Sequence, residues 1–173
     1  MQRSEQLAAN QPGFRAAGRW QLAAALLIMC SSVFGHGPMP QRLTETIEVT
    51  ESPDAVWKRV GNFADLAWHP AVQTVSADRA NEPGSVRTIR LHDGGQLVES
   101  LTSVSAVERT FSYELQEAAG FPVSQLRATL SVKSAGSAGS VIEWSATFLR
   151  EDRSPRPAAG QADEDAVRAV KNN

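Results

Sequence analysis

The sequence predicts an α+β domain in which a long antiparallel sheet of about seven strands curls against helices. Three observations predict it. Apolar and polar residues alternate repeatedly between Leu43 and Phe148. Helix-start signals stand before the first long run of strands and again near the chain's end, at Ser52 and Asp163. Short turn segments separate the alternating stretches, which favours hairpins over crossovers.

The elements follow in chain order. Residues 43–49 alternate Leu, Thr, Glu, Thr, Ile, Glu and Val, and read as a strand rich in β-branched residues. Ser52-Pro53-Asp54 then supplies an N-cap, a proline at the first helical position and an acid in the first turn. Val56, Trp57 and Val60 share one helical face, and Gly61 ends the helix. Asn62 predicts the cap of a second short helix carrying Phe63 and Leu66. It stops at Trp68-His69-Pro70, because the residue before a proline avoids the α region. A weak strand is expected over 72–77 and a second over 86–91, after the turn Glu82-Pro83-Gly84. Asp93-Gly94-Gly95 turns the chain into a strand over 96–104. Alternation around Phe111 and Tyr113, over 126–133 and over 142–148 predicts the last three. Residues 163–171 form a final helix, with acids first and Arg168 and Lys171 last, as the helix dipole prefers. That helix is the natural cover for one face, with a pocket between helix and sheet.

One hairpin aims a carboxylate inward. A three-residue loop at Asp93-Gly94-Gly95 pairs Leu91 with Leu97, Ile89 with Glu99 and Arg87 with Leu101. Glu99 then lies on an apolar face with Arg87 as a diagonal neighbour. Burial raises a carboxylate's pKa and a nearby arginine lowers it, so Glu99 can orient a ligand or exchange a proton. The plainer alternative is a glutamate near a strand edge that reaches water. Tyr113 carries a hydroxyl on an apolar body, and core packing competes with ligand contact for it.

Composition narrows the function. The 173 residues hold 17 Lys+Arg, 19 Asp+Glu and one Cys, for a net charge of −2. That balance offers no basic reservoir for a nucleic-acid backbone. The three histidines, His36, His69 and His92, lack ligand spacing, so neither a metal nor a cofactor is expected. There is no phosphate loop or dinucleotide fingerprint, and Gly136-Ser137-Ala138-Gly139 sits in a hairpin where no nucleophile elbow forms. Residues 1–35 read as a secretory signal. Arg3, Arg15 and Arg19 precede the apolar run Trp20 to Phe34, and a cut is expected between Gly35 and His36. The run is short of the ~20 apolar residues of a membrane span. An uncleaved anchor and a lipid tether at Cys30 are the disfavoured alternatives. Cleavage removes three arginines and one glutamate and takes the net charge from −2 to −4. The expected layout is a signal over 1–35, an N-terminal segment over 36–42 and one domain over 43–173.

Several segments together resemble the START-like superfamily, in its polyketide cyclase/dehydrase-like branch. They are Ser52-Pro53-Asp54-Ala55-Val56-Trp57, Phe63, Trp68-His69-Pro70, Gly84-Ser85-Val86-Arg87, Gly94-Gly95 with Glu99, and Val141-Ile142-Glu143-Trp144. Within that branch the chain is most similar to secreted accessory proteins of bacterial methanol oxidation, through His36-Gly37-Pro38-Met39-Pro40-Gln41 and the segment from Gly160 to Val167. The resemblance implies a helix-grip fold around an apolar cavity. It implies a periplasmic setting and a helper role beside a quinoprotein dehydrogenase and its cytochrome partner. It implies no catalytic constellation. The family's last helix runs on into an apolar second half, whereas 163–173 gives only about 16 Å of helix. A shallower, more open cavity and lowered stability are therefore expected.

Candidate cavity residues are Trp68, His69, Arg87, Ile89, Glu99, Leu101, Phe111, Tyr113 and Trp144. Three functions stay open. The favoured one is a non-enzymatic accessory or ligand-binding protein. The others are a carrier of a small hydrophobic molecule or lipid, and a cyclase or dehydrase using Glu99, Tyr113 or His69 as acid or base.

Overall fold

The computed structural model describes residues 37–136 and 139–172. The expected signal and its cleavage point lie outside the described residues. Nine elements follow one another: β1 (Gln41–Val49), α1 (Pro53–Val60), β2 (Val72–Ala77), β3 (Val86–Leu91), β4 (Gln96–Ser105), β5 (Thr110–Ala119), β6 (Val123–Ala135), β7 (Gly139–Arg150) and α2 (Asp163–Asn172). The seven strands form one curved antiparallel sheet in the order β1-β7-β6-β5-β4-β3-β2. Each alternating segment of the sequence is a strand, because alternation buries one face of a sheet and leaves the other to water. β1 starts at Gln41, inside the stretch expected to precede the domain.

The inner face carries the core. Phe111, Tyr113, Ala128, Leu130, Val132, Ala146 and Phe148 are buried there together with Val56 and Val60 of α1 and Ala166 and Val170 of α2. α2 packs on β1 and β7. The Ser52 hydroxyl caps α1 by accepting the Ala55 N–H, and the Gly61 N–H closes it on the Trp57 carbonyl at 2.7 Å. A Cβ at Gly61 would stand 2.5 Å from the Trp57 ring, so glycine is needed there for close approach.

Two expectations are corrected. The second short helix does not form. Residues 62–71 make turns, because side chains capture the amides a helix would use. Asn81, from the β2–β3 loop, accepts the Phe63 N–H at 2.6 Å and donates to the Gly61 carbonyl. The Asn62 and Asp65 carboxamide and carboxylate take the Ala64 and Ala67 amides. The β3–β4 register is also two residues from the expected one. The Leu91 N–H bonds the Gly95 carbonyl, so the loop is His92-Asp93-Gly94, with Gly94 in the left-handed region at φ 91°. Arg87 therefore lies directly opposite Glu99, and Ile89 opposite Leu97. A shift of two preserves the face, so the inward aim of both charged residues stands.

Candidate functional site

The site grows from that hairpin. Its opposed pair places two charged side chains among apolar ones, at 3% exposure for Arg87 and 5% for Glu99. The Arg87 Nε and Nη2 both reach the Glu99 Oε2, at 2.7 and 2.6 Å. Nη1 donates to the Phe63 carbonyl at 2.7 Å, which ties the 62–71 turn to the sheet. The guanidinium lies over the Phe63 ring, 4.1 Å from its centroid, and 5.1 Å from that of Tyr113. Both rings are favourable neighbours for a desolvated cation. Burial pushes the Glu99 carboxyl above its ordinary range, and the Arg87 charge and hydrogen bond oppose that push.

Aromatic side chains complete the wall. Phe63 meets Phe111 edge-on at 6.0 Å and Tyr113 at 6.2 Å. The Tyr113 hydroxyl accepts the Trp144 Nε1–H at 2.9 Å, and burial pushes its phenol far above the usual value. The hydroxyl that could have met a ligand thus has a protein partner. Leu101 and Phe111 sit in the core, and Trp144 and Trp68 pack half-buried at its margin. Ile89 belongs to a separate small cluster with Leu66 and Leu91. Trp68 touches both clusters.

Trp68 and His69 differ from the rest. Their rings meet edge-on at 5.6 Å. The Trp68 Nε1 is buried with no hydrogen-bond partner, alone in this among the described side chains. The His69 Nδ1 accepts the Ala71 N–H at 3.3 Å, which leaves the neutral ring's proton on Nε2. Burial, aided by the Arg87 charge, holds the imidazole below its ordinary 6.5. A depressed folded pKa contributes stability above 6.5 that is lost as pH falls through the folded value. Thermal melts of His69→Gln and the parent should therefore converge as pH drops from about 7.5 to about 5. A stability difference independent of pH would contradict the buried neutral ring.

The structure places Arg87, Glu99, Phe111 and Tyr113 along one wall. The candidates read from the sequence did not include Phe63 as the bridge or Arg150. Arg150 is 2% exposed, and the alternation Ala146, Phe148, Arg150 was the signal that it faces inward. It anchors α2 by bonding Asp163 at 3.0 Å and the Ser154 carbonyl at 2.9 Å. Two hollows, of about 590 and 570 Å³, open on or beside the outer face, where Glu114 and Arg127 line both. No group of three or more metal-ligating side chains occurs among the described residues.

Comparison with known proteins agrees with this architecture. The family model described as polyketide cyclase / dehydrase and lipid transport matches residues 40–173. Among solved structures, the protein XoxI from Bacillus cereus is similar at 28% identity and a TM-score of 0.63, over 76% of this chain and 85% of that one. A Thermobifida fusca protein is similar at 27% identity and a TM-score of 0.58, over 73% and 78%. Norcoclaurine synthase from Thalictrum flavum, at 17% identity and a TM-score of 0.55 over 79% and 94%, shares the fold alone. No curated protein matches the sequence.

Proposed function

Since the chain belongs to the polyketide cyclase / dehydrase and lipid transport family, we propose that it is a non-catalytic binding protein of the periplasm. In this reading it assists a quinoprotein methanol dehydrogenase and the cytochrome that takes its electrons. The single observation that carries the non-catalytic part is the mutual bonding of the inner face's polar groups. An acid or base must turn a proton or lone pair toward its substrate. Arg87 and Glu99 hold each other at 2.6–2.7 Å, so the carboxylate buried on this face is turned to a cation of the protein. Export is supported by the basic start and apolar run of residues 1–35, and the methanol-oxidation role by the segments around His36 and Gly160.

A second reading, carriage of a small apolar molecule, is favoured by one feature. The buried Trp68 Nε1–H is a donor with no acceptor among the described residues, at the junction of two apolar clusters. An apolar molecule bearing one carbonyl or hydroxyl would satisfy it.

Recovery of the full-length tagged chain from the periplasm of a methanol-oxidising bacterium separates these readings. Co-elution of a quinoprotein dehydrogenase or a c-type cytochrome supports the helper role. Elution with neither, accompanied by a small apolar molecule seen by mass spectrometry, would replace it with carriage.

A further inference from the structure

We propose that the free edge of β1 pairs with the same edge of a second copy, giving a two-fold dimer with one continuous sheet. β1 is an outermost strand and bonds only to β7 among the described residues. It runs nine residues in unbroken register, without a bulge or a proline. Soluble proteins commonly shorten, bend or block such an edge, because its unpaired amides and carbonyls invite another strand. The other edge strand, β2, has six residues and a register break between Val72 and Thr74.

The side chains select a second copy as the occupant. Antiparallel pairing centred on Glu45 sets Arg42 opposite Glu48 of the other copy, twice, once on each side of the axis. Leu43 meets Ile47, and Thr44 meets Thr46. The charged and hydroxyl pairs fall on the outer face and the apolar pair on the inner face, as strand alternation requires. Opposite charges and matched apolar groups directly across an antiparallel ladder are the stabilising cross-strand pairs. Ile47 is 62% exposed, a rare large apolar surface residue here, and this pairing covers it. Moving the register by two residues in either direction sets Glu45 against Ile47 or Leu43 and separates Arg42 from Glu48. The one unfavourable pair is Glu45 with itself. Within each copy Lys171 stands 3.8 Å from its own Glu45 carboxylate and offsets that repulsion. The contact is isologous, so it closes at two copies and does not grow into a fibre.

Sedimentation velocity on the chain as isolated from its cell tests this. Edge pairing alone makes a small interface, so a reversible dimer is expected within about 5–200 µM. Arg42→Glu should remove the dimer throughout that range, because it opposes two glutamates on both sides of the axis. Arg42→Glu with Glu48→Arg swaps the charges and should restore it. Both positions are exposed, so folding is unaffected. Glu45→Gln should tighten it up to about five-fold. A parent chain that stays monomeric at the top of the range overturns the proposal. So does a dimer that Arg42→Glu leaves unchanged, or a charge swap that fails to restore it.

Discussion

Glu99→Leu should lower the unfolding free energy by about 3–5 kcal/mol. In a domain of this size that is a fall of roughly 10 °C or more in the melting temperature. The leucine fills much of the glutamate's volume, so packing loss is small. The cost comes from the Arg87 guanidinium, which loses its countercharge inside the core. Its contacts with Phe63 and Tyr113 recover only part of that cost. Arg87→Met should be milder. Burial already pushes the Glu99 carboxyl up, so without its partner the acid takes a proton and becomes a neutral buried group. The two single variants also differ in pH dependence. A raised folded pKa contributes stability at low pH that is lost as pH rises through the folded value, so Arg87→Met weakens on going from acid toward neutral. Glu99→Leu lacks that carboxyl and shows no such decline from this site. The double variant Arg87→Met with Glu99→Leu should recover most of the loss, since two apolar groups of similar volume commonly replace a buried ion pair without penalty. Thermal melts of the four proteins read all of this. Equal losses in the single variants, with no recovery in the double, would show that the pair is not the structural unit described.

Arg150→Ala should cost a comparable amount, about 3–5 kcal/mol, by another route. Its buried guanidinium bonds the Asp163 carboxylate and the Asp152 and Ser154 carbonyls. Truncation leaves those carbonyls short of donors and releases the first turn of α2. The Asp152 carboxyl, held near pKa 2 mainly by Ser154 and Ala158, keeps the loop folded on itself but not on the sheet. α2 contributes the buried Ala166 and Val170, so its loosening uncovers the inner face between β1 and β7. Hydrogen exchange should show α2 amides losing protection well before those of β5 and β6. Uniform loss across the domain would mean that α2 is not a separable cover.

The fold was largely legible because its determinants are local. Alternation at Leu126, Ala128, Leu130 and Val132 fixes an inner face whatever surrounds it, and Ser52-Pro53-Asp54 starts a helix with its own atoms. The 62–71 segment misled for the opposite reason. Its conformation is set by Asn81 and Arg87, 18 and 24 residues from Phe63, and helical spacing says nothing about either. The bulges of β4 and β5 were equally hidden. An extra residue at Thr102 turns Val104 inward where simple alternation points Ser103, and no residue type announces it. At the site, parity alone placed Arg87 and Glu99 on one face. The Trp144–Tyr113 bond, across 31 residues, depends on sheet order that only the folded chain supplies.

In the function proposed above, the Arg87–Glu99 pair shapes the inner face and has no part in partner recognition. Recovery of the double variant Arg87→Met with Glu99→Leu from the periplasm tests it most directly, beside the parent chain. The same dehydrogenase or cytochrome should co-elute in the same yield with both proteins. A double variant that folds with the parent's melting temperature but brings down no partner would contradict the claim, and would give the buried carboxylate a functional role.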